Sequence, residues 1–188
     1  MTVISNKIDE IFLLPAAEKE LLLAQFEQIS VKKGRILVNA GKIERYIYFI
    51  EKGIARAYVD AAKGQTTIWF GEEGDIILSY LSFFKDKPGY ESIEVLESCV
   101  LYRISGNVLQ TLFRQNIHLA NWGRKFAEQE LVKTEERFMS LQFKTATERY
   151  RDLVEQSPSI LQRVSLGNIA SYLGITQVSL SRIRANKG

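Results

Sequence analysis

Ser165-Leu166-Gly167-Asn168-Ile169-Ala170-Ser171-Tyr172-Leu173-Gly174-Ile175-Thr176-Gln177-Val178-Ser179-Leu180-Ser181-Arg182-Ile183-Arg184 predicts two short helices joined by a tight turn. Helices crossing at about 90–120° need a glycine-bearing turn, and a small residue where they touch. Gly174 can take the left-handed backbone such a turn demands, and Ala170 lets the second helix come close. Ile169, Leu173, Ile175, Leu180 and Ile183 fall at the spacings that lock the pair. The positions left over on the second helix are Thr176, Gln177, Val178, Ser179, Ser181, Arg182 and Arg184. All but Val178 carry hydroxyl, amide or guanidinium groups, the types that contact base edges and phosphates. The pattern is that of a DNA-reading helix-turn-helix. The plainer alternative is a helical hairpin closing a globular domain.

Charge placement favours the first reading. The chain as a whole carries a net charge of only +3. From Gln156 onward, however, it contains Arg163, Arg182, Arg184 and Lys187 and no acidic residue. Such a segment is expected to project an unopposed positive field toward a phosphate backbone.

Composition bounds the remaining classes. The 188 residues, 46% of them hydrophobic, suffice for one domain or two small ones with an ordinary core. No apolar run approaches the ~20 residues that span a bilayer, so no membrane partner is expected. Met1 to Asp9 lack a basic region followed by an apolar core, so no secretory signal is visible and the cytoplasm is the expected compartment. Cys99 is the only cysteine and His118 the only histidine. That excludes an internal disulfide, a four-thiolate metal site and paired-histidine zinc or haem ligation within one chain. No nucleophile–base pair or phosphate-cradling Walker loop is present, so neither an enzyme nor a cofactor is expected.

Periodicity divides the rest. Residues 5–28 read as helix, with Ile8, Ile11, Phe12, Leu21, Leu22 and Phe26 at core-facing spacings and Pro15 opening a second helix. Residues 29–104 change to short apolar segments (Arg35–Val38, Tyr46–Ile50, Ile54–Tyr58, Thr66–Phe70, Ser92–Val95, Val100–Ile104) punctuated by glycines. Turns at such spacing indicate a β-sandwich or barrel, with Ala61-Ala62-Lys63-Gly64 closing a hairpin. Val108, Leu109, Leu112 and Phe113 then form a short amphipathic face. From His118 to about Phe143 a helix of roughly 38 Å is expected. Its apolar stripe comprises Leu119, Trp122, Phe126, Leu131, Phe138 and Leu141. That stripe suits packing along the β-domain, pairing with a second copy, or both. Tyr150, Leu153 and Val154 mark a further helix ending near Ser157-Pro158, and Ser159–Val164 leads into the C-terminal pair.

The order of β-segments, long helix and helix-turn-helix resembles the Crp–Fnr superfamily of bacterial transcription regulators. The resemblance rests on Lys33-Gly34-Arg35-Ile36-Leu37-Val38-Asn39-Ala40-Gly41, Tyr46–Gly53, Gly74-Asp75-Ile76-Ile77 and, most specifically, Ala170–Ile175 with Leu180–Ile183. It implies an α+β chain in three parts. Residues 1–116 would be a cyclic-nucleotide-binding-like β-roll, a double-stranded β-helix of the jelly-roll or cupin type. Residues 117–143 would form the dimerisation helix, and residues 144–188 the DNA-binding unit. It implies double-stranded DNA, a second copy of the chain and RNA polymerase as partners, with room for an unidentified small-molecule effector. Thr176 would cap the reading helix and touch a phosphate. Gln177 and Arg182 would read adenine and guanine edges, and Val178 a thymine methyl. Ser179, Ser181 and Arg184 would position the backbone, and no β-hairpin wing is expected beyond them.

The departures bear on the effector. Members that bind cyclic nucleotides hold the ribose with a glutamate after a glycine, and the cyclic phosphate with an arginine–serine pair. Here Leu78 and Ser79 stand at the first place, and Pro88-Gly89-Tyr90-Glu91-Ser92 at the second. A carboxylate with no cation beside it repels a phosphate, so no response to cyclic AMP is expected. Trp69, Leu78, Ser79, Tyr80, Tyr90, Glu91 and Ser92 are the candidate effector-pocket residues, with Phe83 and Tyr102 as further aromatic walls. Filling the core is an equal alternative for the aromatic ones. Cys99 is expected to be an inert buried thiol, His118 a surface or packing residue, and Glu72-Glu73 a solvated turn. The rival function is a small-molecule-sensing β-roll whose helical tail binds a protein partner. An apolar outer face on the last helix would favour it.

Overall fold

The computed structural model describes residues 1–62 and 64–185. Two helices open the chain, α1 (Thr2–Ile11) and α2 (Ala16–Leu23). Ile4, Ile8 and Ile11 recur at helical spacing and form the buried face of α1. Eight strands follow: β1 (Glu27–Val31), β2 (Ile36–Val38), β3 (Tyr46–Lys52), β4 (Ala55–Ala61), β5 (Gly64–Gly71), β6 (Ile76–Ile77), β7 (Ser92–Val95) and β8 (Cys99–Ser105). A short helix α3 (Tyr80–Lys85) lies between β6 and β7. The strands form two antiparallel four-stranded sheets, ordered β1-β8-β3-β6 and β2-β7-β4-β5.

Two cores meet across the first sheet. Val38, Tyr48, Ile50, Ala57, Ile77, Ile93, Val95 and Leu101 fill the space between the sheets. Ile47, Phe49, Tyr102 and Ile104 point the other way, onto the helices. That double burial is why Tyr46–Ile50 is continuously apolar and does not alternate. Pairing of Ala61 with Gly64 joins β4 to β5 as expected; Lys63 of that turn lies outside the described residues.

The structure differs from the sequence reading at two boundaries and in two short elements. The first helix begins at Thr2, and the helical region ends by Leu23 because Glu27–Val31 pairs with β8. Strand β6 is two residues long, too short for any period to register. Helix α3 was not anticipated; it is only six residues long.

After α4 (Gly106–Gln115), Asn116 starts α5 (Ile117–Phe143) by accepting hydrogen bonds from the His118 and Leu119 amides. His118 is exposed. The 27 residues of α5 make a rod of about 40 Å. Its stripe does not bury as one unit. Leu119, Trp122 and Phe126 enter the first core, whereas Leu131, Phe138 and Leu141 are exposed because the roll ends beneath them. The Trp122 indole N–H donates to the Ile8 carbonyl at 3.0 Å.

The chain then turns through α6 (Ala146–Gln156), α7 (Pro158–Arg163), α8 (Leu166–Tyr172) and α9 (Gln177–Ala185). Thr145 and Glu148 form a reciprocal capping box at the start of α6. Pro158 ends nothing by itself: it occupies the first position of α7, where its missing N–H costs no hydrogen bond. Among the described residues, no helix is long and apolar enough to cross a membrane.

Candidate nucleic-acid interface and effector pocket

The turn between α8 and α9 places Gly174 at φ +69°, in the left-handed region that favours glycine. Ile169, Ala170, Leu173 and Leu180 are buried where the two helices meet, with Ile175 and Ile183 packed beside them. Thr176 caps α9, its Oγ1 accepting from the Ser179 amide at 3.1 Å. With Leu180 and Ile183 turned inward, Gln177, Val178, Ser181, Arg182 and Arg184 are exposed and Ser179 is half-buried. The Ser181 hydroxyl donates to the Gln177 carbonyl at 3.0 Å, so part of its hydrogen-bonding capacity is used within the helix. Arg182 and Arg184 have no ion-pair partner among the described residues. Lys187 lies outside them.

The expected unopposed field needs one correction. Arg163 spends its charge inside the molecule, donating to Glu73 at 2.8 and 2.9 Å and pairing with Glu97. Glu72-Glu73 leads into a turn with Glu73 exposed, as expected, but both carboxylates are also engaged within the molecule. Glu72 accepts from the Ser159 hydroxyl, and Glu73 accepts from the Gly53 amide and from Arg163. The Arg163 hydrogen bonds hold the Glu73 carboxyl down at about 2, against an opposing push from burial.

A depressed carboxyl pKa stabilises the fold fully above the unfolded value of 4.5 and ceases to do so as pH falls toward 2. Replacing Glu73 with glutamine is therefore expected to destabilise the protein above pH 4.5 and to become neutral near pH 2. Solvent screening holds the effect to about 1 kcal/mol or less. Thermal unfolding of both proteins across that range checks it, and a difference independent of pH would contradict the assignment.

The residues that seat the C-terminal helices gave no signal in the sequence. The Ser171 hydroxyl accepts from the Thr67 amide at 2.8 Å and donates to the Gln65 carbonyl at 3.0 Å. It thereby occupies backbone groups on the free edge of β5. Phe70 packs against Tyr172 with ring centroids 5.1 Å apart. Arg149 donates twice to the Leu173 carbonyl, at 2.9 and 3.1 Å. Arg137 of α5 bonds the Tyr172 carbonyl and lies 3.7 Å from that ring's centroid. Two cations thus sit where α8 exposes its last carbonyls, a placement favoured by the helix dipole. A long-range arginine–carbonyl contact has no local pattern that could reveal it.

The candidate effector residues are divided by the fold. Trp69 is half-buried against the inter-sheet core and folds over Gly71. Tyr102 belongs to the other core, its hydroxyl donating to Gln28 at 2.7 Å. Leu78, Ser79 and Phe83 help line a polar cavity of about 520 Å³ with Arg45, Asp86 and Asn107. Phe83 also lines an apolar cavity of about 320 Å³, walled by Phe84, Phe113, Trp122 and Phe126, which the sequence did not suggest. Ser92 accepts from the Ala40 amide, and Tyr80 donates to Glu130 of α5 at 3.0 Å. Tyr90 is exposed, whereas Glu91 is buried. Cys99 is buried, and desolvation, reinforced by Glu97, pushes its thiol up to about 11.

Residues 28–116 match the cyclic nucleotide-binding domain family. No curated protein matches the chain. Among solved structures, FixK2 from Bradyrhizobium japonicum is similar at 20% identity and TM-score 0.70, covering 86% of this chain and 83% of its own. A protein from Eubacterium rectale assigned as a transcriptional regulator of the crp/fnr family gives 19% identity and TM-score 0.71, with 90% and 82% covered. The c-di-GMP-responsive global regulator CLP of Xanthomonas campestris gives 18% identity and TM-score 0.70, with 92% and 91% covered. At such identities the likeness establishes a shared fold: the cyclic-nucleotide-binding β-roll with its antiparallel sheets and long helix, as found in regulators of the Crp/Fnr type.

Proposed function

We propose that this protein is a sequence-specific DNA-binding transcriptional regulator of the Crp–Fnr type. In this reading residues 1–116 are an effector domain, 117–143 a dimerisation helix and 144–188 a helix-turn-helix unit. One observation carries it: the outward face of α9 is polar, and its two arginines, Arg182 and Arg184, are free of ion pairs among the described residues. A helix serving a protein partner would present an apolar face, and only Val178 is apolar there. Gln177, Val178 and Arg182 read bases, Thr176 touches a phosphate, and Ser179, Ser181 and Arg184 hold the backbone. In a two-fold dimer the two reading helices meet half-sites about 34 Å apart. The fold shared with CLP of Xanthomonas campestris, a global regulator, and with the crp/fnr-family protein of Eubacterium rectale supports the assignment. Cyclic AMP is not the effector in this reading, because Glu91 stands where its phosphate would be received.

A mobility shift with genomic DNA fragments across a range of salt tests DNA binding itself. Reading is tested separately. Arg182→Ala is expected to cost about 1–3 kcal/mol at the cognate site and to relax preference at one base pair per half-site. Equal weakening on cognate and single-base-variant sites would reduce Arg182 to an electrostatic contact.

A further inference from the structure

Ser79 is 1% exposed and its hydroxyl has no hydrogen-bond partner. Glu91 is 7% exposed, and no hydrogen bond or cation reaches its carboxylate among the described residues. The two converge on Gly89. A methyl group there would lie 2.6 Å from Ser79 Oγ and 2.9 and 3.0 Å from the two carboxylate oxygens. Lys133, the cation of α5 nearest in sequence to Glu130, is already paired with that residue at 2.7 Å. Around these groups stand the exposed rings of Tyr80 and Tyr90, with Phe84 stacked on Tyr80 at 6.3 Å. Burial, together with Glu130 and Glu91, raises the Tyr80 phenol, which therefore stays a neutral donor.

We propose that this mouth of the β-roll binds a primary alkylammonium, held by Glu91 and Ser79 and flanked by Tyr80 and Tyr90. The inference rests on reading the roll as an effector domain and names the chemistry that domain selects. A sheltered carboxylate without a partner is costly, and a cation that pairs with it relieves that cost. An ammonium has three N–H donors, enough for both carboxylate oxygens and the Ser79 hydroxyl at once. Its alkyl stem lies along the tyrosine rings, where a cation is also attracted. A quaternary ammonium cannot donate, and a phosphate meets the wrong charge.

The probe is n-butylammonium chloride, compared with tetramethylammonium chloride and sodium chloride at equal ionic strength on the full chain without DNA. At ten times its dissociation constant, n-butylammonium is expected to raise Tm by about 3–6 °C in a saturable way. Glu91→Gln should abolish that rise, and Ser79→Ala should weaken binding about fivefold. Absence of a saturable rise, an equal rise with tetramethylammonium, a rise that survives Glu91→Gln, or an unchanged affinity in Ser79→Ala would overturn the proposal. So would a titration in which cyclic AMP binds the chain and displaces n-butylammonium from this site. Loss of DNA binding with the ammonium response intact would instead count against the regulatory function alone.

Discussion

Trp122→Ala is expected to destabilise the protein by about 3–5 kcal/mol, the usual range for deleting a buried aromatic ring. Trp122 is 1% exposed and lies where α1, β3 and α5 meet. Its ring stacks on Phe126 at 5.9 Å and lies 6.5 Å from Phe49 and from Phe113. Alanine would open a cavity among these rings and remove one of the two hydrogen bonds that the Ile8 carbonyl accepts, leaving the one from the Phe12 amide. Trp122→Phe keeps the aromatic contacts but loses the donor and part of the ring volume, so it should cost about 1–3 kcal/mol. Urea unfolding of the three proteins measures both. A loss under about 1 kcal/mol for the alanine variant would mean that the first core does not depend on this ring.

The second large effect concerns assembly. Leu131 and Phe138 are 70% and 58% exposed, one above the other on the unburied half of α5. Burying such side chains is worth about 1.5–3 kcal/mol each, and a two-fold contact buries each of them twice. The double substitution Leu131→Asp with Phe138→Asp should therefore convert a dimer to monomer at micromolar concentration. The dimer dissociation constant should rise by more than about 100-fold, equivalent to roughly 2.7 kcal/mol. Helical content by circular dichroism should be unchanged, because neither side chain packs within the chain. Sedimentation that still shows a dimer would move the interface off this face.

The sequence disclosed whatever depends on local periodicity. Six of the eight strands lie over the short apolar segments, and the last two helices follow the spacing of Ile169, Ala170, Leu173 and Leu180. The stretch Tyr46–Ile50 was legible as a strand, but its two burial directions were not, since either face of an all-apolar run looks the same. Likewise, the stripe on α5 could be seen without knowing where the roll would stop covering it. Charge was the least legible property. Arg163 reads like any cation of the basic tail until Glu73 and Glu97 are brought against it from about 70 to 90 residues away in sequence, as tertiary folding requires. Exposure on α9 could be read from the pattern, whereas the gathering of Ser79 and Glu91 around Gly89 depends on how α3 returns the chain toward β7.

The pairing of β1 with β8 also sets an order of events during synthesis. Glu27 pairs with Arg103, and the hydrogen bond from Trp122 reaches back 114 residues to Ile8. The first helix therefore emerges from the ribosome long before its permanent cover exists. At about 5–20 residues per second, the interval between Ile8 and Trp122 lasts roughly 6–23 seconds. Throughout it Ile4, Ile8 and Ile11 lack the part of their core that Leu119, Trp122 and Phe126 supply. The amino-terminal helix therefore gains its full cover only when the start of α5 has been made.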